Sequence, residues 1–271
     1  MMWSLLLLPL CLIACDHKEK PIVLPHSKGL PSEVLLVTDD AVGQSDVMDS
    51  LNALTQQCLP EIMQPETMFR VLRVSQRNYT QRYITMHTKL FVNIDKSLSA
   101  PMMGISRDVE ATPQTEVTVS APSLNELRLF LSHHQQQVTD ALLDGQLLVR
   151  MTDLRKHHNA HVDNEVRRHM GYSICVPKNV CAVKKGKHFL WAGSNLQERD
   201  LNIVLYEFPW DGKPMDNAEQ LVSKRDSVMK CNIPGEKEGQ WMQTSRVDGN
   251  ALVMCRRRNL QGRDFVEMRG I

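Results

Sequence analysis

Four side chains spaced four residues apart are the best candidates for chemistry in this sequence, namely His157, His161, Glu165 and His169. Residues at positions i and i+4 of a helix lie on the same face, so His157 and His161 could bind one metal ion together with a third ligand from elsewhere. The face turns by about 40° with each step of four residues, however, so all four side chains cannot reach one ion.

The charge of the surrounding segment argues against a metal site. Basic residues occupy positions 155, 156, 158, 167 and 168 and would repel a cation. We therefore interpret the segment as a solvated polar helix face and predict neither a metal nor a cofactor. His157 and His161 stay the candidate ligands to test.

The signatures of other active sites are missing from the sequence. It contains no Gly-x-Ser-x-Gly, His-Glu-x-x-His, phosphate-binding loop or Gly-x-Gly-x-x-Gly pattern. Three consecutive arginines, Arg256, Arg257 and Arg258, could bind an anion, but alternate residues of a strand face opposite sides, which favours an exposed sheet edge. These patterns predict no catalytic residue.

The N-terminus carries a pattern of a different kind. Residues 3–13 form an apolar run that is too short to cross a bilayer as a helix and that leads into Ala14 and Cys15. This ending resembles the lipobox of bacterial lipoproteins, in which the cysteine is acylated and becomes the first residue of the mature protein. We expect a signal peptide over residues 1–14 and a lipid such as palmitate on Cys15. The alternative is an N-terminal core strand or helix.

Charge and hydropathy narrow the range of partners. Lys and Arg total 32 against 31 Asp and Glu, without a long run of one sign, so nucleic acid is not an expected partner. No second apolar stretch approaches the roughly 18 residues of a spanning helix, so we expect contact with the membrane only through Cys15. No Lys or Arg precedes the apolar run, which leaves a start codon upstream of Met1 open.

The cysteines remaining after removal of the signal peptide and acylation of Cys15 are odd in number, which predicts at least one free thiol. Cys175 and Cys181 are the only close pair. They could form a disulfide across a tight turn or be two buried small residues, and we favour burial because free cysteine is among the most buried residue types.

The elements that must position these residues begin with an extended, proline-bearing tether over residues 15–32. The apolar run Glu33–Thr38 is typical of a central strand covered on both faces. A helix capped by Ser45 or Asp46 is predicted to reach Cys58. Further strands are predicted over residues 69–75, 83–95 and 116–121.

The longest helical region begins at a capping box formed by Ser123 and Glu126. Its apolar stripe continues to Met170 across Gly145, so we predict either two helices or one helix kinked at Gly145. Strands are predicted after this region over residues 172–176, 188–192, 201–208 and from 265. A helix that starts with a capping box is predicted over residues 216–231. A hairpin is predicted to turn at Asp248 and Gly249 between residues 240–246 and 251–258.

These elements predict an α+β protein with mixed, mainly antiparallel sheets packed with helices. We divide it into an N-terminal α+β half, residues 33–146, and a C-terminal α+β half, residues 147–271. The similar order of elements in the two halves leaves an internal duplication open.

Short motifs spread along the mature chain resemble the family called domain of unknown function 4837, lipoproteins of Bacteroidota-type bacteria. The motifs include Ser27, Gly29, Pro31, Glu33, Val34, Leu59, Pro60, Pro65, Glu66, Phe69, Asp108, Ala111, Pro113, Gln114, Ile174, Pro177, Phe189, Trp191, Asn202, Ile203, Arg225, Asp226, Lys230, Asn232, Pro234, Gly235, Trp241, Met242 and Thr244. The chain departs from the family pattern at residues 59–69. It also ends at Ile271, where the resemblance implies further strand and helix and hence a truncation.

The resemblance implies an envelope lipoprotein of unknown activity and transfers no catalytic residue. We expect a binding or structural role, with the membrane reached through Cys15 and an envelope protein or ligand as partner. The expected location is the outer membrane in preference to the inner one, although Asp16 favours inner-membrane retention in some bacteria. The alternative is an envelope hydrolase with its site on strand-end loops near Arg225, Asp226 and residues 232–235, a segment that a turn at Pro234 and Gly235 also explains.

Overall fold

The computed structural model describes residues 23–58, 65–194, 200–209, 212, 217–251, 253–260 and 262–270. The predicted signal peptide, residues 1–14, and Cys15 lie outside this part of the chain. Within it, no helix combines the length and the apolar character that crossing a bilayer requires.

The first part of the chain forms a five-stranded sheet in the order β2-β1-β3-β5-β4. Its strands are β1 (Glu33–Thr38), β2 (Arg70–Ser75), β3 (Thr88–Ile94), β4 (Met102–Arg107) and β5 (Thr115–Ala121). β1 is parallel to β2 and β3, and β3 is parallel to β5. Only β4 is antiparallel to its neighbour, β5. The apolar run predicted as a central strand is therefore confirmed as β1.

Both faces of this sheet are covered. Leu36 points into a core shared with the helices α2 (Val47–Thr55) and α4 (Leu124–His157), where Leu51 and Leu142 are fully buried. Leu35 points to the opposite side and packs near Tyr83 of the short helix α3 (Gln81–Ile84). The alternation along β1 thus fills both cores, as expected for a strand without a solvated face. A further short helix, α1 (Asp40–Gly43), follows β1.

Helix α4 begins at the predicted capping box. The Glu126 N–H donates to Ser123 Oγ at 3.3 Å, and the Ser123 hydroxyl donates to Glu126 Oε2 at 2.9 Å. The predicted break at Gly145 is wrong, because the non-helical residue within α4 is His134, with φ −116° and ψ 15°. Gly145 instead lets the helix approach β5, since a Cβ atom there would lie 2.9 Å from the Cβ of Thr115.

The helical region that carries the apolar stripe is interrupted at Asn159, between two helices. Its side chain accepts from the N–H groups of His161 and Val162 at 3.0 and 3.3 Å, which caps the helix α5 (Ala160–Met170). Gly171, with φ +80°, ends α5. Two helices therefore form, with the break 14 residues beyond the predicted Gly145.

An antiparallel three-stranded sheet in the order β6-β7-β8 follows α5. Its strands are β6 (Ala182–Gly186), β7 (Phe189–Gly193) and β8 (Asn202–Tyr206). Val162 and Val166 of α5 are fully buried against Leu190 of β7. The strand predicted over residues 172–176 is absent, because this segment is bound to the start of α5: the Ile174 N–H donates to Asp163 Oδ1 at 3.0 Å.

The last elements are a helix and two hairpins. Helix α6 (Ala218–Asn232) is capped by Asn217, one residue after the predicted Asp216, which lies outside the described residues. The predicted turn is confirmed: Asp248 and Gly249 have positive φ and connect β9 (Arg246–Val247) to β10 (Asn250–Ala251). The second hairpin pairs β11 (Val253–Leu260) with β12 (Arg263–Gly270).

Three segments differ from the sequence-based expectation in the first half. Helix α2 ends at Thr55, and Cys58 instead forms a bridge with Thr67. Residues 83–87 do not belong to β3, since Tyr83 lies in α3 and packs under the sheet. Strand β4 was not predicted because it is an edge strand whose side chains are mostly exposed, which removes the alternating pattern.

The fold is α+β, as predicted. The described residues form three antiparallel sheets and one mixed sheet that is largely parallel. The mixed and the three-stranded sheets differ in strand order, so the similar order of elements along the chain does not extend to topology. The division at residue 146 stays a prediction, and α4 runs across it.

Candidate functional site

Residues 25–31, here called the arm, bind the sheet at the amino ends of its strands. The Ser27 N–H donates to the Thr112 carbonyl at 3.1 Å, and the Lys28 N–H donates to the Thr85 carbonyl at 2.7 Å. The sequence analysis assigned this segment to the tether. It is ordered against the fold because the backbone groups just before β3 and β5 offer it hydrogen-bond partners.

Gly29 of the arm lies on the ring of His87, which immediately precedes β3. Its φ of +145° is open to glycine alone, and a Cβ atom at this position would lie 2.5 Å from His87 Nε2. The His87 ring is almost fully buried. Its Nε2 donates to the Leu30 carbonyl at 3.2 Å, and Nδ1 pairs with Thr88 Oγ1 at 3.0 Å. Burial lowers the pKa of His87, so the ring is neutral at pH 7.

The last part of α4, residues 146–157, lies opposite the arm and His87, and together they border a cleft. Gln146 fixes this part of α4 to the start of β1, because its amide oxygen accepts from the Ser32 N–H at 3.1 Å and its amide nitrogen donates to the Glu33 carbonyl at 2.7 Å. Beyond Gln146 the helix presents Arg150 and Lys156 to the space beneath the arm.

The arm, His87, Pro113 and this part of α4 enclose a cleft of about 280 Å³, here called the arm cleft. Arg150 and Lys156 line it and form no ion pair within the described part of the chain. The acidic residue in its lining is Asp153, which is 2.9 Å from His157 Nδ1. The lining of the arm cleft is largely apolar with an excess of cations, which suits a ligand that carries an anion.

Ser27 adds an unusual polar group to the arm. It is 6% exposed, and its hydroxyl has no hydrogen-bond partner among the described residues. Buried hydroxyls in native proteins are almost always hydrogen-bonded, so this one, whose oxygen has almost no accessible surface, is an exception. No sequence pattern identified this cleft, because its walls come from four distant segments.

The residues proposed as metal ligands do not meet. His157 ends α4 and lines the arm cleft, whereas His161 lies in the first turn of α5 and is exposed. Glu165 forms ion pairs with Lys185 and Arg168, and the hydrogen bond from Lys185 lowers its pKa. His169 donates to the Gly186 carbonyl at 2.8 Å.

The shared helix face expected for His157 and His161 is therefore wrong, because Asn159 starts a new helix between them. In the part of the chain that the structure describes, no group of three His, Cys, Asp or Glu side chains is placed to hold a metal ion.

The region proposed for a hydrolase is held together by Asp226. Its Oδ1 accepts at 2.9 Å from Arg225 Nη1, from the Thr244 N–H and from the Thr244 hydroxyl. These contacts fix the segment before β9 to α6. Arg225 and Thr244 also border a largely apolar cleft of about 340 Å³ between α6 and the β11–β12 hairpin.

Residues 232–235 do not form the turn expected at Pro234 and Gly235: Asn232 ends α6, Pro234 forms a bridge with Trp241, and the turn lies at Glu238 and Gly239. The Asn232 side chain donates to the Val228 carbonyl at 2.9 Å, and the Gly235 N–H donates to the Gln240 carbonyl at 2.7 Å. The contacts of Asp226 Oδ1 and of Asn232 fix the local structure of this region.

A buried cation that the sequence analysis missed lies beneath the sheet. The Lys89 side chain is fully buried, and its Nζ is 2.7 Å from Tyr79 Oη, 2.7 Å from Glu110 Oε2 and 2.8 Å from Glu116 Oε1. All three ammonium protons are therefore used. A lysine beside Leu90 and Phe91 in an apolar strand was the signal that could have revealed it.

The pKa values in this network follow from its geometry. Burial alone would lower the pKa of Lys89, but its hydrogen bonds to Glu110, Glu116 and Tyr79 outweigh burial and raise it. Burial is also the largest influence on Tyr79 and raises its pKa to about 12. Burial opposes ionisation of Glu110, yet Lys89 and Tyr79 hold its pKa below the usual value. The cluster is a saturated ion network without a reactive amine.

The cysteine prediction is wrong for Cys175 and Cys181, which are neither bonded nor buried. They are exposed free thiols, as are the other described cysteines, Cys58, Cys231 and Cys255. Both lie in segments whose backbone, rather than side chains, packs on α5 and β7: the Asn159 N–H binds the Val176 carbonyl, and the Cys181 N–H binds the Gly193 carbonyl.

Arg256 of the arginine run pairs with Asp140 of α4 at 3.0 Å.

Two family models match the chain. The family described as Domain of unknown function (DUF4837) matches residues 159–271, and the family described as Domain of unknown function (DUF8532) matches residues 27–152. The first match confirms the resemblance found in the sequence over α5 and everything after it. The motifs of the first half lie within the second match, and the two matches meet at the end of α4. No curated protein and no solved structure matches the chain.

Proposed function

We propose that the chain, whose residues 159–271 match the family described as Domain of unknown function (DUF4837), is a lipid-anchored protein of the cell envelope that acts as a binding module. The proposal rests on the chain itself, since that description carries no activity. The lipid is carried by Cys15. The arm cleft is the binding site for an envelope partner or ligand.

The observation that supports the binding role is the composition of the arm cleft. Among the described residues, two cations of its lining, Arg150 and Lys156, have no ion-pair partner. The buried imidazole of His87 uses both nitrogens in hydrogen bonds to Thr88 and Leu30, so it is not placed to act as a base. Such a site recognises a ligand without transforming it.

The support for the anchor is the sequence before the fold. The apolar run over residues 3–13 ends at Ala14 and Cys15, as in a lipobox. Two or three acyl chains would hold the protein firmly, because each buried methylene contributes about 0.8 kcal/mol.

Metabolic labelling with radioactive palmitate tests the anchor. Wild type should incorporate label and lose its signal peptide, whereas Cys15→Ser should do neither and should accumulate as precursor. Cys11→Ser is the matched control, since it removes a thiol from the apolar run and should still be labelled. Label on the Cys15→Ser variant, or none on wild type, contradicts the proposal.

Density-gradient separation of the two membranes tests the location. We propose the outer membrane, and the labelled protein should co-sediment with outer-membrane markers. Protease treatment of intact cells then distinguishes a surface from a periplasmic orientation. Labelled protein in the inner-membrane fraction would contradict this part of the proposal and agree with the inner-membrane preference of Asp16.

A further inference from the structure

We infer that the arm cleft binds a phosphate ester, either the head of an anionic phospholipid or a small soluble ester. The inference rests on the proposed binding function and names the ligand class of the same site. The phosphate would be held by Arg150 and Lys156 on the α4 wall.

The charge balance of the cleft lining is the first observation that supports an anionic ligand. Arg150 and Lys156 form no ion pair in the described part of the chain, and they outnumber the carboxylate of the lining, Asp153, whose Oδ1 lies 2.9 Å from His157 Nδ1. A recess with an excess of one sign of charge concentrates ions of the other sign. The planar guanidinium of Arg150 suits two phosphate oxygens at once, and the ammonium of Lys156 is a common phosphate partner.

Helix capping does not explain Arg150. Basic residues in the last turn of a helix compensate its negative end, and Arg155, Lys156 and His157 of α4 serve this purpose. The effect falls off within the last turn, whereas Arg150 lies nearly two turns before the helix end. Arg155 is exposed outside the cleft lining and therefore provides a natural control.

The arm places this cleft close to the proposed anchor. Cys15 and His26 are about eleven peptide units apart, which span about 40 Å at most. His26 itself lines the cleft. A protein held by Cys15 therefore keeps the cleft within reach of phospholipid headgroups, which makes an anionic lipid one of the two sources of the ester.

The first test uses the full, lipidated protein in neutral detergent micelles. Glycerol 3-phosphate is the soluble probe, and glycerol is the uncharged comparison, both followed by calorimetry. The phosphate ester should bind saturably and glycerol should not. Arg150→Gln and Lys156→Gln should each weaken binding about tenfold or more, since a hydrogen bond to a charged group is lost, while Arg155→Gln should bind as wild type.

The second test distinguishes the two sources. The protein is placed in lipid discs of phosphatidylcholine alone or with phosphatidylglycerol, and amide hydrogen exchange is measured for residues 25–31 and 146–157. Slower exchange in the anionic discs only, reversed by glycerol 3-phosphate, assigns the lipid headgroup. Binding of the soluble probe without protection in the discs assigns a soluble ester.

Absence of binding in both tests overturns the inference, as does equal weakening by Arg155→Gln, which would mean a diffuse charge effect. Thermal unfolding of each variant shows that loss of binding is not loss of the fold. Palmitate labelling tests the anchor separately from the ligand. An unlabelled protein that binds the probe in micelles refutes the anchor alone, and a labelled protein that binds nothing refutes the ligand alone.

Discussion

Gly145 of α4 passes so close to Thr115 of β5 that a Cβ atom on the glycine would lie 2.9 Å from the threonine Cβ and 3.0 Å from its hydroxyl oxygen. Thr115 is fully buried and cannot withdraw. Gly145→Ala would gain about 1 kcal/mol of helix propensity. The overlap should outweigh it, because forcing extra volume into a packed interface costs about 1–3 kcal/mol.

We therefore expect Gly145→Ala to lower the free energy of unfolding by about 1 kcal/mol or more, measured by urea denaturation. Gly104→Ala is the control, because nothing lies within 4 Å of a Cβ atom built there. A Gly145→Ala variant as stable as wild type would show that α4 can shift away from β5.

Replacement of Lys89 by methionine should destabilise the fold. The change leaves Glu110 and Glu116 near each other without the cation that compensates them. Removing one partner of a buried pair costs about 3–5 kcal/mol, and the partial exposure of Glu110 favours the lower end. Lys96→Met, at an exposed turn, should change the unfolding midpoint little. Equal midpoints for the two variants would contradict a structural role for the network.

Stability should fall with decreasing pH through the titration of His87. Burial lowers its pKa in the folded protein, although the Leu30 carbonyl and the charge of Glu33 oppose this. The unfolded chain therefore binds the proton more readily below about pH 6.5. Stability is lost as pH falls from that value through the lowered pKa of the folded state.

Urea midpoints at pH 7, 6 and 5 measure this loss for wild type and His87→Gln. The difference between pH 7 and pH 5 should be smaller in the variant. His161→Gln, which removes an exposed imidazole of α5, should keep the wild-type dependence. An unchanged dependence in His87→Gln would mean that other groups cause it.

Cys175 and Cys181 should react with N-ethylmaleimide in the native, unreduced protein, since both are free and exposed. Mass spectrometry of tryptic peptides detects each adduct. Treatment with a reducing agent should leave the thermal midpoint unchanged. A native mass that is two hydrogens lower, together with unreactive Cys175 and Cys181, would contradict the free thiols.

The features that could be predicted from the sequence are those encoded by neighbouring residues. The apolar run of β1, the capping box of Ser123 and Glu126, and the turn at Asp248 and Gly249 each depend on residues within one element. The helix break was misplaced because glycine has two uses. At Gly145 it allows close packing against Thr115, which only the tertiary contact reveals.

The candidate site could not be predicted because it is assembled from distant segments. His26 and Ser27, His87, and the α4 residues Arg150 and Lys156 become neighbours only after the strands pair. His157 was predicted only as a ligand of a metal shared with His161. The carbonyls of Val176 and Val180, which hold Asn159 in place as a helix cap, belong to a segment whose position beside it follows only from the fold.

A pull on the N-terminus of the chain would load the arm before it reaches any strand. The bonds that resist are the backbone hydrogen bonds of Ser27 and Lys28 with Thr112, Thr85 and His87. The buried strand β1 would bear tension only after they rupture. The arm is thus the first part of the fold to yield under tension. Moderate force would detach it, open the recess beneath it and release an occupant, while the five-stranded sheet stays intact.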